Sequence, residues 1–149
     1  MFVKCLSNCA PAYVHNAGDR RECALALHMG QKWEHHDSKP YHIASDVEAG
    51  DMHISVKASA FTLMSGTMTE GRDNLEDILA LYMERTHSNT VAYIAADFTA
   101  YLMNMVEFTK FVRTFCYVER DSEKNGGGYK VRCRKESGKM LRWLANMAA

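Results

Sequence analysis

Glu22, Asp46, Ser55, Lys57 and Glu70 are the residues whose types and spacing could do chemistry. Metal-assisted cleavage of a phosphodiester needs carboxylates that hold a hard divalent cation. It also needs a group that orients or deprotonates the attacking water and neutralises charge developing on the phosphate. A lysine beside two acids on one face of a hairpin supplies those parts.

The elements that must position them can be read from periodicity. A helix is predicted over roughly Gly18 to Met29, with Asp19 as N-cap, Glu22 completing a capping box and Gly30 as its stop. Tyr41 to Glu48 and His53 to Phe61 both alternate, and Ala49-Gly50-Asp51 between them reads as a turn. In such a hairpin Asp46, Ser55 and Lys57 share one sheet face, with Glu48 on the same face as Asp46. Leu75, Ile78, Leu79, Tyr82 and Met83 mark the next helix, opened by Asp73 with Glu76. Thr90 to Ala96 reads as a buried strand, and Thr99 to Phe115 as a further helix. Two strands flank Gly126-Gly127-Gly128, the second running Tyr129 to Lys135, and Ser137 caps a last helix. The predicted order is α-β-β-α-β-α-β-β-α, an α/β chain with a mixed sheet. Residues 1–149 are read as a single domain.

An early helix with Glu22, then Ser45-Asp46-Val47, a turn, and Ser55-Val56-Lys57 resembles the PD-(D/E)xK, restriction-endonuclease-like nucleases. Ser45 replaces the family's proline, and Ser55 replaces the usual acid two residues before the lysine. The second departure resembles a branch in which S-x-K is followed by twelve residues and a glutamate, here Glu70. The resemblance implies a restriction-endonuclease-like mixed β-sheet flanked by helices and a metal-dependent endonuclease acting on DNA rather than RNA. It implies that Asp46 and Glu70 hold Mg²⁺ or Mn²⁺, that Lys57 acts on the water or the scissile phosphate, and that Glu22 supports metal hydration or a second metal. If Asp73 is the N-cap, Glu70 lies in the preceding loop; either its carboxylate still reaches the site, or Glu48 or Asp51 is the second acid, Glu48 being the stronger substitute. A homodimer would bring two such sites to two strands.

Each of these residues also has an ordinary structural reading. Lys57 can be a solvated strand lysine, Glu22 a capping residue, and Glu70 a carboxylate before a helix N-terminus. Lys130, Arg132 and Arg134 form a basic stripe that Lys135, Lys139 and Arg142 can extend. It is either a solvated strand face or a set of phosphate contacts. Phe98, Tyr101 and Tyr117 read as core aromatics, with base stacking as the alternative. Zinc on His35, His36 and His42, or on Cys5, Cys9 and His15, lacks two tight ligand pairs.

The formal net charge of +0 argues against a protein that coats nucleic acid by charge alone. Five irregularly spaced cysteines fit a reducing compartment. The N-terminal stretch lacks an apolar run long enough for a signal peptide or membrane span. The expectation is a cytoplasmic protein with no membrane contact. The rival function is a non-catalytic domain on the same fold that binds nucleic acid or protein; a zinc-stabilised interaction domain is a third reading.

Overall fold

The computed structural model describes residues 1–7, 10–11, 13–14, 16–33 and 45–149. Among them the chain is mixed α/β. In chain order the elements are β1 (Phe2–Cys5), α1 (Ala17–His28), β2 (Val47–Ala49), β3 (Met52–Lys57), β4 (Thr62–Met64), α2 (Leu75–Arg85), β5 (Thr90–Ile94), β6 (Thr99–Asn104), α3 (Met105–Phe115), β7 (Cys116–Arg120), β8 (Tyr129–Cys133) and α4 (Gly138–Ala148). A five-stranded sheet runs β1-β6-β5-β3-β2, and a three-stranded sheet runs β4-β8-β7. In the larger sheet β3 and β5 are parallel and the other pairs are antiparallel.

Strand alternation divides the core in two. Ala92, Ile94, Ala100 and Leu102 point to one face, where Ala24, Leu25 and Ala26 of α1 cover them. Val91, Tyr93, Tyr101 and Met103 point to the other, against Ile78 and Leu79 of α2 and Phe108, Phe111 and Val112 of α3. The same cluster takes in Val131 of the smaller sheet and Met140 and Leu144 of α4. A period of two along each strand therefore builds two apolar layers from one sheet.

Several predicted elements shift. The 99–115 segment is not one helix. Thr99–Asn104 is a strand between β1 and β5, and Asn104 then caps α3 in a capping box with Glu107. Both faces of β6 are buried, so no polar alternation marks it as a strand. The cap of α1 is Asn16, whose side chain accepts from the backbone N–H groups of Gly18 (2.8 Å) and Asp19 (3.3 Å). Asn74, not Asp73, caps α2 by accepting from the Asp77 N–H. In each case an asparagine captured the free donors of the first turn. β1 and β4 had no counterpart in the predicted order. β3 ends at Lys57 instead of continuing to Phe61, because the chain turns through Ala60 (φ 55°) into β4 of the second sheet. Of the predicted strand 41–48, residues 41–44 lie outside the described residues.

The smaller sheet is tied to the chain before α2 by Asp121. Its carboxylate accepts from the backbone N–H of Gly66 (2.8 Å) and of Ser122 (2.9 Å), and from the Asn125 amide (3.2 Å). These bonds, the Gly66 bond first, hold its pKa down at about 2 against an ordinary 3.8. A depressed carboxyl stabilises the fold above its unfolded pKa and loses that contribution as pH falls through its folded one. Asp121→Asn is therefore expected to lower the urea midpoint at neutral pH, with the gap to wild type closing as pH drops from about 4 to about 2. A gap that stays constant with pH would show that the carboxylate charge is not what matters.

Candidate active site

Asp46 stands at the entry to β2. Its backbone N–H donates to the Ile54 carbonyl (2.8 Å), which extends the hairpin by one residue. Its carboxylate Oδ2 accepts from the Val56 N–H at 2.7 Å. The acid is thus clamped against the strand that carries the lysine. Lys57 is the next residue and the last of β3. From the other side, Glu22 projects from α1.

Gly18, Arg21, Glu22, Asp46, Val56, Lys57 and Ala58 line one pocket of about 240 Å³. It lies at the carboxyl end of β3, the strand parallel to β5. In open α/β sheets that end is where ligands bind. The Lys57 ammonium lies 5.6 Å from the centroid of the Phe61 ring. Burial pulls its pKa below the ordinary 10.5, and the negative charges of Asp46 and then Glu22 oppose that pull without cancelling it. The lysine therefore gives up its proton more readily than a solvated one. Both outcomes suit chemistry on a phosphate: as a cation it faces the anion, and as an amine it can take a proton.

The sequence reading did not single out Arg21. Its Nη1 donates to the Ala17 carbonyl (3.3 Å), while its buried Nε has no hydrogen-bond partner. Gly18, Arg21 and Glu22 are spaced i, i+3, i+4 on a helix, so they share a face. That spacing was the available signal. A guanidinium that lines a pocket also holding a lysine adds a second positive charge suited to a phosphate oxygen.

Other predicted residues lie elsewhere. Ser55 is buried and opposite Val91 of β5, and it does not line the pocket. Glu70 sits in a turn before α2 with φ 52°. Its exposed carboxylate accepts from Arg85 Nη2 (2.6 Å) and Arg72 Nη1 (3.2 Å), and these arginines hold its pKa below the ordinary carboxylate range. Glu48 is exposed and accepts from Ser45 Oγ (3.0 Å), with His53 Nδ1 at 3.2 Å. Neither Glu70 nor Glu48 lines the pocket. The twelve residues after Lys57 pass through β4 and a run of turns, so the motif's spacing in sequence does not become proximity in space.

The basic stripe divides. Lys130 lies 3.4 Å from Glu119 and 3.5 Å from Asp121, so acids of the same sheet neutralise it. Arg132 and Arg134 line a second pocket with Ala60, Tyr117, Cys133 and Lys135. Of the zinc candidates, Cys5 is an exposed free thiol, and Cys9, His15, His35, His36 and His42 lie outside the described residues. Among the described residues no group of three or more His, Cys, Asp or Glu side chains is gathered as a metal cluster. The Glu22 and Asp46 carboxylates still fit Mg²⁺ by donor chemistry, because that ion binds through one or two carboxylates and completes its shell with water and substrate phosphate. Also among the described residues, no helix is long and apolar enough to cross a membrane. Comparison of the chain with protein-family models, curated proteins and solved structures finds no match.

Proposed function

We propose that this chain is a metal-dependent endonuclease that hydrolyses nucleic-acid phosphodiester bonds, DNA first, at the pocket formed by Glu22, Asp46 and Lys57. The observation that carries the reading is the convergence of one lysine of lowered pKa and two carboxylates on one pocket at a strand end. A helix bearing Glu22, a hairpin bearing Asp46 and Ser55-Val56-Lys57, and a helix leading to a parallel strand support a restriction-endonuclease-like core.

Asp46, oriented by the Val56 N–H, and Glu22 would hold Mg²⁺ or Mn²⁺. When bound, that ion would polarise the phosphate and acidify the attacking water. Lys57 lies next to Asp46 and would either accept the water's proton or face the charge gathering on the phosphate oxygens. Arg21, which lines the same pocket, would face a non-bridging oxygen with its guanidinium charge. Strong sequence preference would come from a second copy of the chain or from a partner protein.

One observation favours a second reading, a nuclease-like domain that binds without cutting. The acid absent at Ser55 is not supplied by Glu70, which Arg72 and Arg85 occupy. Glu70→Gln separates the cases within the nuclease reading: cleavage is expected to remain at the wild-type rate. Its loss would mean that Glu70 leaves its arginines and joins the site.

Incubation of the purified chain with supercoiled and linear DNA and with RNA, in Mg²⁺ or Mn²⁺ and with EDTA as control, tests the proposal. Metal-dependent cutting is expected. No cutting of any substrate by folded protein would leave the binding reading.

A further inference from the structure

The second pocket is as large as the first, about 240 Å³, and its wall is basic. Tyr117 of β7, Arg132 and Cys133 of β8, and Arg134 and Lys135 just beyond β8 form it, with Ala60 from the chain that follows β3. The Arg134 guanidinium carbon lies 5.0 Å from the centroid of the Tyr117 ring. Among the described residues no carboxylate forms an ion pair with Arg132, Arg134 or Lys135, unlike Lys130 two positions before Arg132. Three cations without acidic partners on one concave wall favour an anion. A guanidinium held over an aromatic ring is restrained in a position from which it can meet phosphate oxygens.

The two pockets are neighbours along the chain. Lys57 and Ala58 line the first, and Ala60 lines the second. The link between them is anchored to the end of the smaller sheet: Ser59 Oγ accepts from the Glu136 N–H (3.0 Å), and the Phe61 carbonyl accepts from the Cys133 N–H (2.8 Å). The three residue steps from Lys57 to Ala60 span at most about 11 Å of backbone. With an axial rise of about 3.4 Å per nucleotide and the strand winding about that axis, that distance covers no more than about three nucleotides.

We propose that the Tyr117–Arg132–Arg134–Lys135 pocket is a subsite for a backbone phosphate flanking the scissile one, within a few nucleotides on the same strand. The proposal rests on the nuclease reading for what occupies the first pocket. The second pocket holds the strand in register by charge and reads no base.

The test is fluorescence anisotropy of a labelled duplex oligonucleotide with the full chain in EDTA, where binding is measured whether or not the protein cuts. The exposed Arg134 and Lys135 are changed to Gln singly and together, and Lys124→Gln removes a charge at the far end of the β7–β8 hairpin as control. Each of the first two changes is expected to weaken binding and to reduce the salt slope of log K by about one, with the control unchanged. An unchanged affinity and slope in the double variant, or no binding by wild type, would overturn the subsite. Displacement of the oligonucleotide by millimolar inorganic phosphate at constant ionic strength would assign the pocket to a small free anion and overturn it too. Oligonucleotide binding that depends on Arg134 in a chain that never cuts would sustain the pocket as a backbone-phosphate contact while removing the nuclease reading. Cutting with a double variant that binds like wild type would do the reverse.

Discussion

Lys57→Met is expected to abolish metal-dependent cleavage while raising the stability of the fold. The two effects share a cause. Burial disfavours the Lys57 ammonium more than Asp46 and Glu22 favour it, which is why its pKa falls. Any group whose charged form is disfavoured in the fold costs stability at a pH where it is charged. A thioether of similar length keeps the contact with Phe61 and removes that cost. It also removes what the proposed reaction needs from Lys57, a cation to face the phosphate or an amine to take a proton. Losing such a group costs about 10²- to 10⁴-fold in rate. A urea titration and a cleavage time course on the same preparation check both halves. A stable variant that still cuts would show that Lys57 is an ordinary strand lysine. A variant that neither cuts nor folds would show that it is a structural one, and Lys57→Arg would then separate charge from packing.

Phe111→Ala should cost the fold about 3–5 kcal/mol, as expected for a buried aromatic truncated to a methyl. Phe111 is fully buried on α3. Its ring lies 5.5 Å from Tyr93, 6.2 Å from Phe108, 6.3 Å from Phe61, 5.3 Å from Phe115 and 6.0 Å from Trp143, centroid to centroid. It thus joins the central strand β5, the helices α3 and α4, and the chain after β3 that also carries the Lys57 contact. Few neighbours can collapse into the space it leaves, because each is a rigid ring fixed either on α3 itself or on another packed segment. Denaturant unfolding measures the loss, and Phe111→Leu, which keeps most of the bulk, is expected to lose less. A cost near zero for the alanine variant would mean that the aromatic cluster repacks freely.

The chain wrote its strongest periodicities plainly. α2, β5, the β7–β8 hairpin and the Ser137-capped α4 follow from apolar spacing and turn residues alone. β6 did not, because a strand buried on both faces shows an apolar run that a helix could equally produce. The Asn104-x-x-Glu107 cap inside that run was the local mark of the boundary. β1 is a short strand that, among the described residues, pairs with β6 alone, nearly a hundred residues away, and no local pattern announces such a pairing.

The site was legible in part for related reasons. Asp46 and Lys57 lie on one hairpin, so period-two counting brought them together. Glu22 came from the family layout. Glu70 matched a spacing, but whether twelve residues return a carboxylate to its lysine depends on the path between, and here β4 and the turns lead it to Arg72 and Arg85. Arg21 was passed over because no motif names it; helical spacing from Glu22 would have found it.

The most direct test of the central claim compares cleavage of one DNA substrate in Mg²⁺ by four proteins purified alike: wild type, Asp46→Asn, Lys57→Met and Glu70→Gln. Cutting by wild type and Glu70→Gln, with none by Asp46→Asn or Lys57→Met, is the predicted result. Equal cutting by all four would contradict the account, because the activity would then lie outside the pocket that Glu22, Asp46 and Lys57 share.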